Sequence, residues 1–86
     1  MPYISMFFGI IVRMFYNEHN PQHFHAQYQG QRGMFDFDGN MIRGNLTSNT
    51  AQKLIKQWAC LHRDELTENW NNMGKRKQFN KIAPLD

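Results

Sequence analysis

Three of the four histidines in this 86-residue chain fall within seven positions, in the run His19-Asn20-Pro21-Gln22-His23-Phe24-His25-Ala26. Imidazole titrates near neutral pH, takes and gives protons, ligates metals and contacts phosphate, so the cluster opens three kinds of chemistry. As a metal set, His19, His23 and His25 offer three nitrogen donors. Three imidazoles plus a water are a known catalytic zinc arrangement, although histidine clusters at surfaces also pick up zinc adventitiously. As a catalytic set, His23 or His25 would act as acid or base, Arg13 would hold an anionic group through its planar fork, and Asp36 would orient the imidazole. The plainer reading needs no ligand. In it His19 and His23 belong to the turn, His25 pairs across a sheet with Asp36, and Arg13 pairs with a carboxylate; such cross-strand pairs contribute roughly 0.2 to 1 kcal/mol each.

The elements that must position these side chains follow from periodicity. Ile10, Val12, Met14 and Tyr16 alternate with Gly9, Ile11, Arg13 and Phe15, which predicts one strand within an apolar segment running from Tyr3 to Tyr16. Asn17, Asn20 and Pro21 supply turn chemistry. Phe24, Ala26 and Tyr28 form a second strand, Phe35 and Phe37 a third after a reversal at Gly30, and Met41 to Arg43 a short fourth. From Thr47 the period becomes helical, with Ala51, Leu54, Ile55, Trp58, Leu61, His62, Leu66, Trp70 and Met73 on one stripe. Ser48 or Asn49 would cap its start and Gly74 its end.

The expectation is therefore an α+β domain. A three- to four-stranded antiparallel meander (1–46) precedes one long helix (47–74) packed on one sheet face, and a short basic tail (75–86) follows. With turns centred on His19 and near Gly30-Gln31, Arg13 faces His25, His25 faces Asp36 and His23 faces Asp38. Ile10, Val12, Met14, Phe24, Ala26, Tyr28, Phe35 and Phe37 then share the opposite face, and a one-residue slip would push an apolar set into water. On the histidine face this register also places Phe7, Ile11 and Phe15. They are too apolar for a simply solvated surface, which makes them the candidate contact for a small protein partner or for self-association, or a surface for the C-terminal Phe79-Ile82-Leu85 to cover.

Composition narrows the class. One cysteine, Cys60, excludes an internal disulfide and suits a reducing cytoplasm. The apolar opening carries Arg13 and is too short for a membrane span, so no membrane role is expected. The net charge of +3 is concentrated in Lys75, Arg76, Lys77 and Lys81, which is compatible with nucleic acid and equally with a solvated tail. His62 reads as a packed histidine, and Trp58 and Trp70 as part of the stripe.

The stretches Gly9 to Met14, His19 to Ala26 and Trp58 to Trp70, with the ending Lys81-Ile82-Ala83-Pro84-Leu85, resemble the small prokaryotic domain-of-unknown-function family numbered 4160. Gln22 stands where that family commonly has a second proline. The resemblance implies a small cytoplasmic bacterial or archaeal protein, with membership of a toxin–antitoxin pair suspected, and it brings no catalytic residues with it. The leading expectation is thus a protein-interaction module without enzymatic activity or cofactor. A ribonuclease-type or RNA-binding toxin using Arg13 and the histidine face is the alternative, and a histidine-ligated zinc site is the third reading.

Overall fold

The computed structural model describes residues 3–16 and 18–86. Asn17, read above as turn chemistry, lies outside the described residues, as do Met1 and Pro2 of the expected meander. Five strands come first: β1 (Tyr3–Phe7), β2 (Ile10–Arg13), β3 (Phe24–Tyr28), β4 (Gln31–Phe35) and β5 (Met41–Gly44). Two helices follow, α1 (Asn49–Leu61) and α2 (Arg63–Gly74). The strands form an antiparallel meander in chain order, and the α+β class stands with more strands than expected and a divided helix.

The opening segment is a hairpin and not a single strand. Phe8 and Gly9 both take positive φ (50° and 80°), the conformation of a two-residue turn whose twist matches that of its flanking strands. Phe7 therefore pairs with Ile10 and points to the same side, into the core, where its ring lies 5.4 Å from that of Trp58. This corrects the placement of Phe7 beside Ile11 and Phe15. A second turn of the same kind, Gln29-Gly30 (φ 48° and 79°), joins β3 to β4.

Arg13 pairs with His25 as expected. His25, however, pairs with Met34 and not with Asp36, because the turn lies closer to β3 than predicted. The register moves by two residues, which preserves every facing: Phe24 and Phe35 pair, stack at 5.6 Å and are fully buried. Asp36 falls beyond β4. Its Oδ1 accepts from the backbone N–H of Asp38 and of Asn40 (3.0 and 2.9 Å), so it shapes the turn before β5 and leaves the catalytic set. Asp38 pairs with Arg63 of α2 rather than facing His23.

The core lies between one sheet face and the helices. Ile4, Ile10, Val12 and Phe24 meet Ala51, Ile55, Trp58 and Leu66, all essentially inaccessible to solvent. Ser48 caps α1 through Oγ, which accepts from the Ala51 N–H at 3.1 Å. His62 interrupts the helix with φ −119°, and α2 starts afresh with Asp64 and Glu65 in its first turn, where carboxylates complement the helix dipole. The apolar spacing runs unbroken across this junction, and for that reason it predicts a single helix.

The last residues are not a free basic tail. Ile82 is buried and its N–H donates to the Ile4 carbonyl (2.8 Å), while Trp58 Nε1 donates to the Ala83 carbonyl (2.9 Å). Phe79 and Leu85 pack on the core cluster beside it.

Candidate functional site

β-strand alternation sends Arg13, His25, Gln27, Arg32, Met34 and Arg43 to the face away from the helices, since their neighbours Val12, Phe24, Ala26, Gly33 and Phe35 are buried. Pairing then sets one row straight across four strands: Arg13, His25, Met34, Arg43. At about 4.8 Å per strand the row spans roughly 14 Å. Arg32 lies beside Gln27 in the neighbouring row. These side chains line an open groove of about 500 Å³ with three arginines and no carboxylate. Arg13 Nη1 donates to Gln27 Oε1 at 2.9 Å, and none of the three arginines forms an ion pair among the described residues. The carboxylate partner that the plainer reading gave Arg13 is thus replaced by a neutral amide.

At one end of this face the loop between β2 and β3 brings Glu18 to His23 and His25. Glu18 Oε1 accepts from His25 Nε2 at 2.9 Å, and Glu18 Oε2 lies 3.4 Å from His23 Nε2. His23 is buried, and its Nδ1 donates to the Pro21 carbonyl at 2.7 Å across the cis Asn20–Pro21 turn. A carbonyl can only accept, so Nδ1 carries the proton and neutral His23 presents a bare lone pair at Nε2. That atom is buried and without an aligned hydrogen-bond partner. The ring is wedged at edge-on angles between His25 (5.1 Å) and Trp70 of α2 (5.3 Å), and Phe15 packs edge-on against His25 at 4.6 Å.

Of the residues singled out by sequence, His25 adjoins both Arg13, its cross-strand partner, and His23, which packs on Trp70 of α2 and so does not lie on the face away from the helices where the sequence placed it. Asp36 does not join them, and Phe7 is in the core. Ile11 and Phe15 remain half-buried on the outer side. His19 is exposed and is not one of the three clustered donors, whose third member is Glu18. Glu18 was missed, yet it is the first carboxylate in the chain and directly precedes the histidine run. Reading the motif as Glu-His-x-x-x-His-x-His would have found it. His62, as expected, is structural: Nδ1 bonds Glu65 at 2.6 Å and the ring lies 5.7 Å from Trp58.

The histidine run, Arg13 and α1 fall inside residues 9–71, the segment that matches the domain of unknown function DUF4160. The chain belongs to the DUF4160 family. No curated protein and no solved structure matches it. In this DUF4160 chain the matched segment takes in the loop, the outer row from Arg13 to Arg43 and most of α2, and leaves β1 and the docked C-terminal residues outside. Among its described residues no helix is long and apolar enough to cross a membrane.

Proposed function

We propose that this protein binds single-stranded RNA on the outer face of its sheet. The observation that carries the reading is the groove: Arg13, Arg32 and Arg43 line it with no carboxylate among them. Arginine forks grip phosphate oxygens bidentately, and an open sheet lets a single strand lie across several β-strands at once. His25 and Gln27 add hydrogen-bonding groups on the same face, and half-buried Phe15 at its edge offers a ring to a base.

The test is fluorescence anisotropy of a labelled 12-nucleotide single-stranded RNA titrated with the full chain at several salt concentrations. Each phosphate contact removed should flatten the log–log salt slope by about 0.7. Arg13→Ala and Arg43→Ala are expected to weaken binding and flatten the slope by that amount each. Affinity that is insensitive to both arginines and is lost on neutralising Lys75, Arg76 and Lys77 would contradict the reading.

A protein-contact reading, the expectation from sequence, is favoured by a separate observation: Met6 and Phe8 are about half exposed (47% and 58%), with Ile11 paired to Met6 beside them. With Phe7 buried, this patch takes over as the contact surface, and a second copy of the chain or the other member of a toxin–antitoxin pair would cover it.

A further inference from the structure

We infer that Glu18, His23 and His25 form a binding site for a divalent first-row transition-metal ion such as zinc, with His23 as its buried anchor. The inference is independent of RNA binding. One nitrogen or oxygen from each residue lies within 4.8 Å of the other two, so one ion can bridge all three. In a tetrahedral shell two donors at about 2.1 Å from one ion stand roughly 3.4 Å apart, so closure from 4.8 Å asks for a side-chain movement of no more than roughly 1.4 Å.

The buried polarity suits a cation. With Nδ1–H committed to the Pro21 carbonyl, His23 Nε2 and Glu18 Oε2 are two lone-pair acceptors facing each other at 3.4 Å. A buried acceptor left in this state costs about 1 to 3 kcal/mol, and a second acceptor opposite raises that cost. The 3.4 Å approach of the carboxylate is not aligned for a hydrogen bond to Nε2. A metal ion needs no such alignment, because it meets the lone pair of each donor directly. The Nδ1–H to backbone carbonyl bond is also the outer-shell contact that metal-bound histidines make, since it fixes the tautomer and raises the basicity of the ligating nitrogen.

The donor chemistry selects the ion. Two imidazoles and one carboxylate suit zinc, cobalt or ferrous iron and not calcium or magnesium, which prefer all-oxygen shells. Three protein donors leave at least one coordination position. Glu18 and His23 border a hollow of about 390 Å³ that is open to solvent and lined also by His19, Pro21 and Arg43.

The experiment is calorimetric titration of the metal-free full chain with zinc, repeated with cobalt while following its visible absorption. One ion per chain is expected. Glu18→Gln, which keeps the side chain's shape and removes its charge, and His25→Ala are each expected to weaken zinc binding by at least the ~10- to 100-fold that loss of an outer-shell partner alone costs. His19→Ala is expected to leave affinity within a factor of about two, since that ring is not among the three donors. Glu18→Gln and His19→Ala lie in the loop and His25→Ala on the outer face of β3, so all three leave the buried core intact, and unchanged circular dichroism and thermal midpoint would verify it. Absence of saturable one-to-one uptake would overturn the site. So would affinity that falls with His19→Ala and survives Glu18→Gln, the behaviour of a surface histidine cluster.

Discussion

His23 sits with its imidazole edge against the indole of Trp70, ring centroids 5.3 Å apart and planes at 63°. The contact ties the loop between β2 and β3 to α2, an element more than forty residues later in the chain. Trp70 also meets Phe37 edge-on at 6.1 Å, so one side chain braces both the loop and the turn before β5.

Replacing Trp70 by alanine is therefore expected to do two things at once. Urea unfolding should show a loss of about 2 kcal/mol, below the ~3 to 5 kcal/mol of a fully buried aromatic because Trp70 is only half-buried. Zinc affinity should fall as well, with Trp70→Phe restoring most of both. Unchanged zinc binding in a destabilised Trp70→Ala protein would show that the helix does not position His23.

Asn69 clamps the C-terminal segment. It is buried, Oδ1 accepts from the Asn80 N–H at 2.8 Å and Nδ2 donates to the Asn80 carbonyl at 2.7 Å. Asn69→Ala removes both bonds at about 0.5 to 1.5 kcal/mol each and leaves a small void, for a predicted loss of about 1 to 3 kcal/mol. Limited proteolysis with mass spectrometry is expected to release the residues after Lys77 faster in the variant than in the parent. Equal release rates would show that Ile82 and Trp58 hold the segment by themselves.

Gly39, in the turn between β4 and β5, packs directly against α1. Its φ is +86°, and a Cβ placed there would stand 2.5 Å from the Lys56 Cα, a backbone atom that cannot rotate away. Gly39→Ala is expected to lower stability by about 2 kcal/mol or more, read as a shift in the urea midpoint with an unchanged slope. Gly30→Ala, with open space around it, should cost only the positive-φ penalty of about 1 kcal/mol.

Phe8 separates folding from contact. It holds a positive φ with its ring more than half exposed, a setting in which asparagine is better tolerated than phenylalanine. Phe8→Asn is expected to keep or slightly raise the thermal midpoint. If a second copy covers the Met6 and Phe8 patch, sedimentation velocity should show a concentration-dependent dimer in the parent and a monomer in the variant.

Which side chains face the core was legible in the sequence because a period of two survives errors in turn placement. The pairing of Arg13 with His25 came out directly, while the β3–β4 register was off by two residues and still kept Phe24 and Phe35 on the core face. The hairpin at Phe8-Gly9 was not legible. Its first residue is an aromatic in place of the asparagine or aspartate that advertises such turns, and the apolar run continues through it. The break at His62 was hidden for a similar reason, since Trp58, Leu66 and Met73 keep helical spacing on both sides of it. Two thirds of the histidine motif survives in the clustered site. Glu18 replaces His19 there because which loop side chain folds back depends on the loop's path, and periodicity does not encode that path.

The most direct measurement is a ¹H–¹⁵N correlation spectrum of the full chain titrated with the 12-nucleotide RNA, with arginine side-chain signals observed alongside the backbone. Saturable shifts are expected at Arg13, His25, Gln27, Arg32 and Arg43, across four strands of one face. Shifts confined to Lys75, Arg76 and Lys77, with the groove silent, would contradict RNA binding on that face.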